Sequence, residues 1–236
     1  VIESDLQVLN GDALETAREI IAKYPHPRSA ALPLLFLVQS VEGYVTERGM
    51  KDVGRLLGLT SAEVLATGSF YTMLKKRPQG EYLISVCRNI SCTHLGARKV
   101  MAALEDALEI EAGGTTGDGR ISLEAAECLG TCDGAPSMQI NYEDFLRMTP
   151  ENAVDIANRL RGGRSVESTR GHVVRTAAEI ARETATAGLK PPLPKEQEPA
   201  RLVGGEAPPP DMVPGVRLKV EGTTAPPSGK GTGNGA

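Results

Sequence analysis

Four cysteines carry the strongest chemical signal in this sequence. They read Cys87-x4-Cys92 and, thirty-five residues further on, Cys128-x3-Cys132. Four thiolates gathered in one place suit a structural zinc, disulfides or an iron–sulfur cluster. Structural zinc sites favour a C-x2-C clasp, and neither spacing here is one. Disulfides belong mainly to secreted proteins, and no secretion signal opens this chain. A [2Fe–2S] cluster takes four cysteines, two per iron, and its longer span suits wider loops. By formal counting such a site carries a charge of about −2 oxidised and −3 reduced, so it needs nearby donors. Gly130 and Gly134 would let backbone N–H groups approach sulfur. The start of a helix after Cys92 would add N–H groups and dipole. Arg88, Arg98 and Lys99 are nearby cations, and His94 is a candidate proton acceptor on reduction. Zinc remains the alternative on spacing alone.

The cysteines sit where strands should give way to loops. Glu81 to Val86 reads as a strand and Thr93 to Leu108 as a helix, with Val100, Met101, Leu104 and Leu108 on its buried side. Arg120 to Ala126, Ser137 to Asn141 and Asp144 to Met148 read as three further strands, and Thr149-Pro150-Glu151 starts a helix running to about Arg161. Two strands ending side by side would bring both cysteine loops to one sheet edge. Ahead of Arg77 the pattern is helical: Ala13 to Tyr24, Arg28 to Ser40, Thr46 to Leu57, and Thr60 to Met73 behind a Thr60-x-x-Glu63 capping box. Pro33 is tolerable only near a helix's first turns. In the last of these helices Val64, Leu65 and Phe70 are expected inward. The fold class is therefore α+β: a helical bundle at 1–77, a small α/β domain at 78–162, and an extension at 163–236. Residues 172–187 read as one more helix.

Composition narrows the function classes. The net charge is −4, from 26 Lys+Arg against 30 Asp+Glu, which argues against a protein built on phosphate-backbone contacts. The longest apolar run, Ala30 to Val38, falls well short of the roughly 20 residues a membrane span needs, so the chain is expected to be soluble. Val1 in place of Met leaves room for a removed targeting segment. Pro191 to Ala236 holds ten of the sixteen prolines and eight glycines, a composition that cannot fold alone. Its apolar beads, among them Leu202-Val203, Met212-Val213 and Val216 to Val220, suit an extended docking tail.

Competing motifs are weaker. Cys92-Thr-His94 resembles half a Rieske site, but neither Cys128 nor Cys132 has a matching histidine. Residues 52–71 could pass for a helix-turn-helix, yet Thr60 to Met73 carries no Lys or Arg. The glycines at 114, 117 and 119 lack dinucleotide spacing, and Gly229-Lys230 is not a phosphate-binding loop. Lys75-Lys76-Arg77 reads as a solvated loop.

Ala31-Leu-Pro-Leu-Leu35, Gly68-Ser-Phe-Tyr-Thr-Met73, Val86-Cys87 with Ser91-Cys92, and Glu127-Cys-Leu-Gly-Thr-Cys132 followed by Ala135-Pro136 together resemble the 24-kDa-type [2Fe–2S] subunit (the E subunit) of NADH–quinone oxidoreductase, respiratory complex I. The likeness covers about residues 10–160. It implies a thioredoxin-like fold for the second region and a [2Fe–2S] cluster bound by Cys87, Cys92, Cys128 and Cys132. It also implies an oxidoreductase subunit without a complete active site of its own. NADH and FMN would sit on a partner subunit, with the cluster beside the flavin, in an arm peripheral to the membrane on the cytoplasmic or matrix side. The equivalent subunit of an NAD-linked hydrogenase or formate dehydrogenase shares these motifs. A zinc-stabilised interaction protein is the alternative from another class. The tail after about Gly163 is longer and richer in proline than the family core requires.

Overall fold

Residues 5–189 are those the computed structural model describes. The expected docking tail from Pro191 lies outside them. The chain opens with α1 (Asp12–Ala22), a 3-10 turn (Pro27–Ala30), α2 (Ala31–Glu42), α3 (Glu47–Leu57) and α4 (Ser61–Phe70). The second helix starts three residues later than expected. Its start at Ala31 leaves Pro33 in the first turn, where its missing N–H and its ring do least harm. From Leu34 to Gln39 every residue of α2 is buried, as an all-round apolar sequence requires. The third helix instead buries one stripe, including Val53 and Leu57. Thr46 caps it, its hydroxyl accepting from the Gly49 N–H at 3.0 Å.

A buried carboxylate fastens the first segment to α3. Asp52 is fully buried, and its Oδ2 accepts from the backbone N–H groups of Gln7, Val8 and Leu9 at 2.9, 2.6 and 3.0 Å. Arg55 lies 3.7 Å from Oδ1 and also donates to the Asp5 carbonyl.

Thr60 and Glu63 form the capping box of α4. The Glu63 carboxylate accepts from the Thr60 N–H and hydroxyl, both at 2.9 Å, and pairs with Arg28 at 2.6 Å. Those bonds, the Thr60 backbone N–H first, lower its pKa to about 2. Because the folded value is depressed, the stabilisation is present above the ordinary carboxylate pKa of about 4.3 and fades as pH falls toward 2. Glu63→Gln is therefore expected to melt below wild type at pH 7 and to converge with it near pH 2. A gap that persists at pH 2 would count against the linkage. The same helix corrects a reading made from the sequence. It ends at Phe70, where Tyr71 turns to extended backbone, and Phe70 is 78% exposed rather than inward, with Leu65 also exposed.

After Pro78 come β1 (Tyr82–Cys87), α5 (Ile90–His94), α6 (Ala97–Leu108), β2 (Ile121–Ala126), β3 (Met138–Ile140), β4 (Glu143–Phe145), α7 (Pro150–Arg161) and α8 (Ala177–Thr186). The strands form one sheet in the order β2-β1-β3-β4. The pair β1/β2 is parallel, with Cys87 opposite Ala126; β3 and β4 add antiparallel. Ile84, Val86, Ile121, Leu123, Met138 and Ile140 share one core with Val100, Leu104, Ala153 and Leu160 from α6 and α7. Thr149 caps α7 and Pro150 takes its first position. Residues beyond 162 are packed as well: Val166 and Val174 join the sheet's core, while Ala181 and Ala185 of α8 join the core built around α2.

Candidate metal centre

Parallel pairing of β1 with β2 makes both strands end at the same sheet edge. Cys87 is the last residue of β1, and Cys128 follows two residues after β2. The Arg88 N–H donates to the Ala126 carbonyl at 2.8 Å, which carries the pairing into both loops. Asn89 then caps α5, its side chain accepting from the Ile90 N–H at 2.8 Å. Cys92 thus lies within a short helix rather than ahead of a long one. Gly96, at φ 111°, separates α5 from α6; the sequence periodicity runs through this break, and a left-handed residue interrupts it.

All four cysteines are free thiols, with Cys87 and Cys92 buried and Cys128 and Cys132 exposed. They influence one another as two pairs: Cys92 acts on the Cys87 thiol, and Cys128 acts on Cys132, which also feels the charge of Cys92. Burial pushes the Cys87 thiol up, although the N–H groups of Asn89 and Leu129 donate to its sulfur. Burial also acts upward on Cys92, but hydrogen bonds from Ser137 and Cys87 reverse it, so the net shift is down. The Cys128 charge raises Cys132. Among the described residues no three His, Cys, Asp or Glu side chains gather as a one-ion site. Two pairs of thiolates are what two irons with two thiolates each require. The donor set fits a [2Fe–2S] cluster: soft ligands, with N–H groups already directed at sulfur.

Several neighbours differ from expectation. Gly130 is left-handed, at φ 76°, but Gly134 serves packing: a Cβ there would come within 2.7 Å of Leu146 Cβ. Its N–H goes to the Thr131 carbonyl at 3.1 Å, not to sulfur. Arg88 is ion-paired with Glu127, which offsets its charge locally. His94 is exposed in the last turn of α5. Arg98 and Lys99 are exposed in the first turn of α6. The sequence reading missed Ser137 and Thr131, both buried beside the cysteines. Two hydroxyl residues five and one positions from the cysteine loop's end were its only trace.

A mixed sheet backed by helices, with paired cysteines at one edge, defines a protein of the ferredoxin class. The chain belongs to the thioredoxin-like [2Fe-2S] ferredoxin family, whose profile matches residues 17–161, and membership supports a [2Fe–2S] cluster over zinc. It is similar to the E subunit of NADH-quinone oxidoreductase from Mycobacterium tuberculosis, 44% identical over 155 residues, covering 66% of this chain and 62% of that protein. The chain thus spans less than two thirds of that relative's length. NADH-quinone oxidoreductase subunit 2 of Thermus thermophilus is 35% identical over 159 residues, covering 66% of this chain and 88% of the relative. Among solved structures, an NAD+-reducing [NiFe]-hydrogenase matches at TM-score 0.50 and 23% identity, covering 56% of this chain and 22% of that one; this likeness concerns the fold. No described helix is long and apolar enough to cross a membrane.

Proposed function

We propose that this chain is the iron–sulfur electron-transfer subunit of an NADH–quinone oxidoreductase. In this reading Cys87 and Cys92 hold one iron of a [2Fe–2S] cluster, and Cys128 and Cys132 hold the other. The bound cluster supplies one-electron transfer at a potential set by its surroundings. The chain's own residues do the rest. Strands β1 and β2 hold both loops at one edge, the N–H groups of Asn89 and Leu129 steady Cys87, and the burial of Cys87 and Cys92 keeps water from one side of the site. The exposed pair faces outward, where a partner can approach. NADH and FMN are bound by that partner, in keeping with a sequence in which no nucleotide-binding motif is legible. The helices α1–α4 form a mount for the cluster domain, the segment from Pro191 fastens the chain to its neighbours, and the assembly is peripheral to the membrane on its cytoplasmic or matrix side.

The observation that carries this reading is the placing of the four cysteines on two loops at one sheet edge, in a chain that over 155 residues is 44% identical to an E subunit of NADH-quinone oxidoreductase. The test is to produce the chain alone and together with the flavin-binding subunit of the same oxidoreductase. A red-brown protein whose visible absorption bleaches on reduction, and which co-purifies with that partner, is expected. A colourless zinc protein would sink the assignment.

A further inference from the structure

One buried residue touches both members of the buried cysteine pair from outside the cysteine loops. Ser137, 2% exposed, accepts the Cys87 N–H on its carbonyl at 3.1 Å. Its hydroxyl oxygen lies 3.5 Å from Cys92 Sγ. The direction of the hydroxyl contact follows from the next residue out. The Thr131 hydroxyl donates to Ser137 Oγ at 2.9 Å, which occupies an oxygen lone pair and leaves the Ser137 proton for sulfur. Thr131 is itself buried, so water does not compete for either bond. The result is a two-step donor chain, Thr131 to Ser137 to Cys92, ending on sulfur.

We infer that Ser137, polarised by Thr131, is a potential-setting residue of the site: its O–H donates to Cys92 sulfur and favours the reduced state. This rests on the reading of the cysteines as ligands of a [2Fe–2S] cluster. Reduction adds one electron, taking the formal charge of the cluster with its thiolates from about −2 to −3, with no bond made or broken. A hydrogen bond to a sulfur that gains negative charge strengthens in that step. Donors arranged in series reinforce one another, so Thr131 adds to the effect through Ser137. The Asn89 and Leu129 amides act in the same sense on Cys87, but as backbone groups they survive any side-chain substitution. Ser137 and Thr131 are where side chains act on the buried pair.

The test is an EPR-monitored titration with dithionite and mediators on the full chain, for wild type, Ser137→Ala, Ser137→Thr and Thr131→Val. Ser137→Ala is expected to keep its iron and shift the reduction equilibrium about tenfold toward the oxidised form, which is ~59 mV more negative for one electron. Thr131→Val is expected to shift it in the same direction by less, and Ser137→Thr to restore the wild-type value. A wild-type potential in iron-replete Ser137→Ala would overturn the inference. Should that variant lose its iron, a wild-type potential in Thr131→Val would overturn it equally. A wild-type chain that holds no iron and gives no EPR signal would instead refute the cluster assignment itself.

Discussion

Serine at Cys87 or Cys92 is expected to cost the protein its iron, while serine at Cys128 or Cys132 is expected to leave an altered cluster. The difference comes from burial. Cys87 and Cys92 are 2% and 1% exposed, and the donors around them are set at sulfur distance, Ser137 Oγ standing 3.5 Å from Cys92 Sγ. A serine oxygen is a smaller, harder and far more basic ligand. In a closed pocket it leaves the donors too far away and no water to replace the lost ligand. At the exposed positions solvent relieves both problems, so an oxygen-ligated cluster with shifted absorption and EPR can persist. Iron per chain and the EPR spectrum of the four single variants check this. Any variant with full iron and the wild-type signal identifies a cysteine that is not a ligand.

The second large effect lies far from the cysteines. Asp52→Ala removes the acceptor of the Val8 and Leu9 amides at 2.6 and 3.0 Å, at residues that are themselves buried. Unsatisfied buried N–H groups cost about 1–3 kcal/mol each, while Arg55 is half exposed and keeps its bond to the Asp5 carbonyl. A loss of about 2–5 kcal/mol is expected. Asp52→Asn keeps an oxygen for the three amides but turns an NH2 toward Arg55, so it should fall between alanine and wild type. Urea unfolding midpoints order the three proteins. An alanine variant within about 0.5 kcal/mol of wild type would show that the first segment is not held in this way.

Much of the fold follows periodicities that a reader of the sequence can count. The Thr60 capping box and the Thr149-Pro150 helix start rest on contacts within a few residues, the strands read at 81–86 and 120–126 rest on their own apolar pattern, and all are observed within a residue of those bounds. So is the shared edge of the two cysteine loops, since a helical crossover between neighbouring strands makes them parallel and leaves both ends at one edge. What could not be read depends on partners distant in sequence. Asp52 stands beside Val53 like any solvated helix charge, and only the fold brings the amides of residues 7–9 onto it. Phe70 has the right spacing for an inward residue, but the helix ends there and the ring is left exposed. Ser137 looks like the polar start of a strand, and its bearing on Cys92 appears only once β3 lies against β1.

The packing of α8 against α2 imposes an order on synthesis. The core around Leu34, Leu35, Leu37 and Val38 is completed by Ala181 and Ala185, so the two halves of one core leave the ribosome about 140 residues apart. Translation proceeds at roughly 5–20 residues per second, so α2 waits on the order of ten seconds or more for its covering helix. The cysteine-bearing sheet emerges in full during that wait. Its strands and the helices α6 and α7 need nothing from α8 to form their own core beyond Val166 and Val174, which precede it. The nascent chain can thus assemble the metal-bearing half first, with the apolar flank of α2 still open to chaperones, and close the helical half last.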